Sequence, residues 1–420
     1  MDVGAVAWDD QSSISTFEFD EKFVARAVDL APLTMPLVDL QRGDRQHSFP
    51  SLNRDTFRTL PGLLADSLPD SFGNNLIDLW LARNGRSLDD FTPVERLSYI
   101  GSKGMGALEY EPDIGPRANP QDIQLNELVD IANEILKRKK QLNTSFRGDK
   151  EKALQQIIQI GTSAGGLRPK AVIAISPDEK RIISGHLQAP ADYTYWILKL
   201  DGVQDEVFGE PQGYGVIEYI YYLMAKDAGI QMSKSKLLEE NGRAHFTTKR
   251  FDRKDGEKVH MQTLCGIAHY DYNNIGATSY EQLFQVMRRL KLGHDEISQM
   301  FARMVFNVVA RNQDDHTKNT SFLLAQDQVW SLSPAYDVTY SYNPNVGQNT
   351  YRHQMSINGK RDSIDRKDIL EIATVINIKR PEEIIEKVVD AVAQWNKLAT
   401  DYDVPNRKKQ RVNDSLKLDL

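Results

Sequence analysis

Asp314, Asn319 and Asp337 form an ordered set of two carboxylates and one amide. Phosphoryl transfer needs a carboxylate to orient the attacking hydroxyl, and a second carboxylate with an amide oxygen to hold Mg²⁺ against nucleotide phosphates. Asn319 lies five positions after Asp314, the aspartate-to-asparagine spacing of protein-kinase catalytic loops. Ser321-Phe322-Leu323-Leu324 and Val329-Trp330-Ser331-Leu332-Ser333 then read as two short strands returning the chain to Pro334-Ala335-Tyr336-Asp337. A hairpin there would bring both metal ligands to one mouth. Asp and Asn are also default loop residues, so the set alone fits a polar loop at a helix end. The surroundings favour chemistry: Asp337 follows an apolar stretch, and Val305, Val308, Val309 and Ala310 lead a buried helix into the loop.

Such a centre also needs a cradle for phosphates and a cation. Gly161-Thr162-Ser163-Ala164-Gly165-Gly166 precedes Arg168-Pro169-Lys170 and the strand-like Ala171-Val172-Ile173-Ala174-Ile175. The loop is neither a Walker A motif nor the glycine loop of ordinary kinases. Its glycines allow backbone N–H groups to approach a phosphate, or simply join a helix to a strand. Downstream, Tyr195-Trp196-Ile197-Leu198-Lys199-Leu200 is an apolar strand with one internal charge, and lysine is rarely buried unless paired. Lys199 therefore reads as a phosphate-binding strand lysine, with Glu218 on the next helix as its candidate partner. The alternative is a Lys199 that snorkels from an edge strand and a Glu218 that favours a helix N-terminus.

These segments together resemble the HipA family of toxin kinases. Ser163-Ala-Gly-Gly-Leu-Arg-Pro-Lys170, Arg250-Phe251-Asp252-Arg253, Asp314-Asp-His-Thr-Lys-Asn319 and Leu332-Ser-Pro-Ala-Tyr-Asp337 stand in the family's order. Leu68-Pro69-Asp70-Ser71-Phe72-Gly73 and Gly104-Met105-Gly106-Ala107-Leu108 match its smaller lobe, so the resemblance covers nearly the whole chain. It implies an ATP- and Mg²⁺-dependent serine/threonine kinase acting as the toxin of a toxin–antitoxin pair. Asp314 resembles the catalytic base, Asn319 and Asp337 the magnesium ligands, and Lys199 the nucleotide-phosphate lysine. Ser163 resembles the loop serine that family members phosphorylate on themselves. Ser163, Ala164, Gly165, Gly166, Lys170, Lys249, Phe251 and Lys318 are carried over with Lys199 as ATP contacts, and Glu218, Arg253, His316 and Tyr336 as supporting residues. Implied partners are a HipB-like helix-turn-helix antitoxin, operator DNA reached through it, and a protein substrate of the aminoacyl-tRNA synthetase class.

The chain departs from the pattern in two places. Lys249 stands where the family has an acid, so an adenine contact there must come from backbone groups or Phe251. Asp315 replaces a frequent glycine, and a second carboxylate beside Asp314 could raise one of the two pKa values or recruit another cation. His316 reads as a histidine packing the loop rather than a ligand. Eight histidines without a repeated spacing, and one cysteine, argue against zinc.

The elements that must position these residues follow from composition and periodicity. A chain of 420 residues, 40% hydrophobic and 26% charged, is globular and long enough for two or three lobes. Its single cysteine, Cys265, suits a reducing compartment, and neither a signal peptide nor a transmembrane run is expected, which points to the cytoplasm without a membrane partner. A net charge of −7 argues against autonomous nucleic-acid binding; Lys137-Arg138-Lys139-Lys140 reads as a helix end and Arg407-Lys408-Lys409-Gln410-Arg411 as a solvated run. Prolines and glycine near 112–120 mark a break. The expected division is an N-terminal subdomain 1–112, a nucleotide-binding lobe portion 113–250 and a helical catalytic lobe 251–420. Leu128 to Leu136 reads as a helix, Ala171 to Phe251 as strands with one helix, and Tyr280 onward as helical, with Met and aromatic stripes as core faces.

The expected fold is α+β and protein-kinase-like, a bilobal HipA-type arrangement with a small mixed α/β N-terminal lobe and a mainly helical C-terminal lobe. The alternatives are a small-molecule kinase of the choline or aminoglycoside type, which usually has a histidine where this chain has Asn312, and a pseudokinase-like corepressor, which would lack the metal ligands.

Overall fold

The computed structural model describes residues 1–69, 71–87, 91–116, 122–123, 125–137, 149–161, 169–203, 213–345 and 349–420. Two compact units interleave along the chain. The first comprises Met1–Ala27, Asp39–Gly215 and Lys234–Met261, and the second Val28–Val38, Val216–Ser233 and Gln262–Leu420.

In the first unit, β1 (Gly4–Asp9), β2 (Ile14–Phe19) and β3 (Gln46–His47) form a small antiparallel sheet. The main sheet runs in the order β5-β4-β6-β8-β7, from β4 (Lys170–Ile175), β5 (Ile182–Ser184), β6 (Thr194–Lys199), β7 (Ser235–Glu240) and β8 (Arg243–Lys249). Each of its pairings is antiparallel. All six residues of β4 are buried, which accounts for a run of β-branched and small apolar residues without polar alternation. Its core side chains Ala171, Ile173 and Ile175 share a cluster with Leu154 and Ile157 of the helix Asp149–Ile160 and Leu128 of the helix Leu125–Lys137. Fully burying side chains such as Leu or Ile contributes about 1.5–3 kcal/mol each. The β7–β8 hairpin turns through Asn241 and Gly242, both at positive φ, with Glu240 opposite Arg243. Asn-Gly is the favoured pair for such a two-residue turn, because both central residues must enter the left-handed region.

A second hairpin, β9 (Arg253–Lys254) with β10 (Glu257–Lys258), follows directly. β11 (His260–Thr263), β12 (Ser321–Leu324) and β13 (Trp330–Leu332) make a three-stranded sheet in that order.

Helices dominate the second unit. Ser279 and Gln282 close a reciprocal cap on the helix Tyr280–Arg289. The helix His294–Val309 starts with Glu296 accepting from the Gly293 N–H at 2.9 Å and from the Leu332 N–H at 2.7 Å, which ties its first turn to β13. Met300, Phe301, Met304 and Val305 are buried, as their spacing predicts for a core face. Arg366–Val375, Pro381–Ala393, Trp395–Asp401 and Asn406–Asn413 follow as further helices, in keeping with the helical reading from Tyr280 onward. Among the described residues no helix is long and apolar enough to cross a membrane.

Candidate functional site

The helix His294–Val309 delivers the chain into the Asp314 loop, and Arg311, at φ 60°, breaks the helical path. A single 3₁₀ turn, Thr317–Asn319, then leads into β12. Side chains hold this short path in shape. His316 Nδ1 accepts from the Lys318 N–H at 3.3 Å, and the Thr317 hydroxyl donates to the Tyr270 carbonyl at 2.7 Å. Asn319 donates its Nδ2 to the Asp314 carbonyl at 2.8 Å. That bond settles which end of the amide faces the backbone and leaves Oδ1 as its acceptor end, the atom a cation would use. The Asp314 N–H is held by Ser341 Oγ at 3.0 Å, so both backbone groups of Asp314 are pinned while its side chain stays 42% exposed. His316 Nε2 lies 3.9 Å from Asp314 Oδ1, and its ring stands 5.6 Å from that of Tyr272. Lys318 Nζ sits 4.7 Å over the Tyr272 ring.

The hairpin that the sequence called for exists. β12 pairs antiparallel with β13, Phe322 opposite Leu332, and the Ser333 N–H continues the ladder to the Ser321 carbonyl. Beyond it, the Tyr336 hydroxyl donates to the Lys318 carbonyl at 2.6 Å and lies 2.5 Å from Ser321 Oγ, which brings the Asp337 segment back to the start of the hairpin beside Asn319. Arg303 Nη2 donates to the Ser333 carbonyl at 2.7 Å, and Ala335 bridges to Met232. Burial brings the Arg303 guanidinium down to about 10. Asp337 itself takes φ 54°, a region that aspartate enters more readily than most residues but still a constrained one.

Asp315 corrects an expectation. It neither stands beside Asp314 as a second exposed carboxylate nor offers itself to a further cation. It turns inward, 1% exposed, and among the described residues its oxygens accept from the Tyr280 hydroxyl, His353 Nδ1 and the Gln354 N–H, each at 2.8 Å. Burial alone would raise its pKa, but the His353 ring and these donors outweigh burial and hold it below the usual carboxylate value. A backbone trace of alternating polar residues carries no signal for this turn; the complementary His353 lies too far along the chain to be paired with it by spacing.

Lys170, Lys199 and Lys249 belong to the first unit. Lys170, at the start of β4, stands directly opposite Lys199, at the end of β6, so both side chains leave the same face of the sheet. The row continues across the sheet through Phe246 to Leu237, and Lys199 Nζ lies 5.8 Å from the Phe246 ring. Both lysines are buried. Lys249, exposed, ends β8, and Phe251 follows, partly buried. Glu218 is buried in the helix Tyr214–Asp227, at a position that belongs to the second unit. Ser163, Ala164, Gly165 and Gly166 lie outside the described residues; Gly161 precedes them, placed so that a Cβ would meet Leu76 at 2.7 Å.

Arg250, Asp252 and Arg253 form a buried ionic triad. Asp252 takes Arg250 Nε at 2.9 Å and Nη2 at 2.7 Å, Arg253 Nη1 at 2.9 Å and the Gly106 N–H at 2.8 Å. Burial would raise this carboxyl, but Arg250 and Arg253 bring it down to about 2. Arg253 also donates to the carbonyls of Gly106 and Gly104. The two glycine-rich and arginine-rich motifs noted in the sequence thus meet in one cluster. Gly106, at φ 75°, needs to be glycine, because a Cβ there would lie 3.1 Å from the Met261 nitrogen.

Among the described residues no group of three or more His, Cys, Asp and Glu could hold a metal ion. Asn319 and Asp337 are a sparser set. Mg²⁺ would need no larger set, because it keeps waters and takes one or two carboxylates together with substrate phosphates.

A family model described as the HipA N-terminal domain matches residues 1–111, and one described as the HipA-like C-terminal domain matches residues 162–396. "Putative kinase Y4dM" of Sinorhizobium fredii is 24% identical over 225 residues, covering 49% of this chain and 51% of that protein. "Putative kinase" of Haemophilus influenzae is 25% identical over 210 residues, covering 46% and 57%. The chain thus spans about half the length of these curated relatives. Among solved structures, a chain of the complex "Shewanella oneidensis MR-1 Toxin Antitoxin System HipA, HipB and its operator DNA" matches with a TM-score of 0.63 at 15% identity, over 98% of this chain and 92% of that one. That likeness is one of fold, and it bears out the α+β, HipA-type expectation. With both family models matched in order along the sequence, this chain belongs to the HipA family.

Proposed function

We propose that this chain is an ATP- and Mg²⁺-dependent serine/threonine protein kinase and the toxin of a HipA/HipB-like toxin–antitoxin pair. The observation that carries the reading is the Asp314 loop: Asp314 pinned through both backbone groups, Asn319 with its amide oxygen left as an acceptor, and a hairpin that returns to Asp337. Asp314 orients the hydroxyl of a protein serine or threonine for in-line attack. Asn319 and Asp337 would hold Mg²⁺, which neutralises phosphate charge when bound. Lys170 and Lys199 bind the nucleotide phosphates from their shared sheet face, with Lys249, Phe251 and Lys318 as further ATP contacts and Glu218 as a supporting residue. Arg253 and Tyr336 hold the supporting backbone.

Autophosphorylation at Ser163 belongs to the same reading. A phosphoserine adds about −1.5 to −2 charge and would repel ATP phosphates from its loop. The partners are a HipB-like helix-turn-helix antitoxin, operator DNA through it, and a cytoplasmic protein substrate of the aminoacyl-tRNA synthetase class. Expression of the chain without a partner tests the toxin reading. It is expected to slow growth, with Asp314→Asn harmless at equal abundance and phosphate on Ser163 only in the active protein. Equal toxicity of the two proteins would mean that growth arrest does not come from phosphoryl transfer.

A further inference from the structure

Phosphoryl transfer has no use for a second carboxylate beside Asp314, yet the fold builds an enclosure for one. We propose that Asp315 is the positioning residue of this loop, the terminal acceptor of a closed hydrogen-bond circuit that fixes the backbone on which Asp314 sits. The proposal rests on the reading of Asp314 as the hydroxyl-orienting carboxylate.

The circuit runs in one donor-to-acceptor direction. The Asp314 N–H donates to Ser341 Oγ at 3.0 Å, and that hydroxyl donates to Asn312 Oδ1 at 3.2 Å. Asn312 Nδ2 donates to Asn307 Oδ1 at 2.9 Å, and Asn307 Nδ2 donates to the Tyr280 hydroxyl at 2.9 Å. Tyr280 then donates to Asp315 Oδ2 at 2.8 Å, and the peptide bond from Asp315 back to Asp314 closes the ring. Each hydroxyl and amide in it both donates and accepts, so reversing any one link would leave a donor facing a donor. Bonds aligned in this way polarise one another inside a low-dielectric core.

The sense of the circuit is set where it ends. Asp315 is an acceptor-only group when ionised; His353 Nδ1 shares Oδ2 with Tyr280, and the Gln354 N–H takes Oδ1. His353 is itself seated by its own backbone, whose N–H donates to the Arg361 carbonyl at 2.9 Å and whose carbonyl accepts from Arg361 Nε at 2.6 Å. Tyr280 and Asp315 are both buried, so the last link of the circuit lies away from water. The helix Tyr280–Arg289, the helix carrying Asn307 and the segment carrying His353 and Gln354 are thereby clamped to one short loop. Asn319 holds the Asp314 carbonyl from the other side, so both peptide planes flanking Asp314 are hydrogen-bonded.

The test compares Asp315→Asn, Tyr280→Phe, His353→Asn and His353→Leu with the wild-type chain. It uses the initial rate of phosphate transfer from labelled ATP to the chain itself, together with hydrogen exchange of the Asp314 amide. Misplacing a reacting group by about 1 Å costs on the order of 100-fold in rate, so Asp315→Asn and Tyr280→Phe are expected to lower kcat at least tenfold while KM for ATP stays within about threefold. His353→Asn, whose amide nitrogen falls where Nδ1 stood, retains most of the rate; His353→Leu does not. The Asp314 amide exchanges faster in the slow variants alone. Tyr280→Phe removes one oxygen without changing shape and carries the test if Asp315→Asn does not fold. Rates within threefold of wild type in both variants, or an unchanged Asp314 amide, overturn the proposal. A wild-type chain that transfers no phosphate removes the kinase reading instead, and the exchange measurement alone then decides whether the circuit holds the loop.

Discussion

Removing the Asp252 carboxylate strips the acceptor from a buried ionic cluster in the first unit. Asp252, 1% exposed, receives Arg250, Arg253 and the Gly106 N–H, and the Arg250 side chain is itself fully buried. Asp252→Ala leaves two guanidinium groups and one backbone donor without their acceptor. Breaking a buried pair in this way costs about 3–5 kcal/mol, because the remaining charge stays desolvated. With a urea dependence of roughly 3 kcal/mol per molar for a unit of this size, the unfolding midpoint of the first unit should fall by about 1–1.7 M. Hydrogen exchange on peptides from β8 and from Gly104 to Leu108 assigns the transition to this unit rather than to the other. The same cluster sets an acid limit. Because the folded carboxyl is depressed to about 2, its contribution is fully present above the unfolded value near 3.8 and is lost as the pH falls from there through 2. A midpoint shift below about 0.3 M would refute the reasoning, since it would mean that the two arginines find other compensation or water once Asp252 is gone.

Other consequences can be measured on the same material. Burial depresses His245 and His260 to about 4 from the ordinary value of 6.5. Stability that depends on their staying neutral is therefore complete above pH 6.5 and falls as the pH drops toward 4, by about 3 kcal/mol for each ring. The Tm should decline steeply between pH 6.5 and 4.5, and a flat profile would contradict the buried placement. Asp337→Asn should weaken Mg²⁺-dependent ATP binding at least tenfold in a calorimetric titration, whereas Asp314→Asn should bind ATP as the wild type does. Equal weakening in both would deny them separate roles.

Much of this arrangement was legible in the sequence, and where it was not, the reason is physical. The strands beside Lys170 and Lys199 could be read because β4 is a continuous buried apolar run after Lys170 and β6 is an apolar run that ends at Lys199. The Asp314–Asn319 spacing and the β12–β13 hairpin are local features, set by residues close in the chain. Asp315 was misread for the opposite reason. Its partners Tyr280 and His353 lie 35 and 38 positions away, and nothing in the alternation of polar residues marks which way a loop carboxylate turns. The Arg250–Asp252–Arg253 motif was visible as a string of charges, but its use of Gly104 and Gly106 as backbone partners spans nearly 150 positions. The interleaving of the two units, with the helix that carries Glu218 assigned largely to the second, likewise follows from tertiary packing.

The central claim is that Asp314 orients a hydroxyl for phosphoryl transfer. Its most direct measurement is transfer of labelled phosphate from the γ position of ATP to protein serine or threonine, with Mg²⁺ present, by the intact chain and by Asp314→Asn at equal concentration and equal ATP occupancy. The account predicts phosphoserine or phosphothreonine with the wild type and a loss of at least 100-fold in the variant. Undiminished transfer by Asp314→Asn would contradict it, as would a wild-type chain that binds Mg²⁺-ATP and transfers nothing.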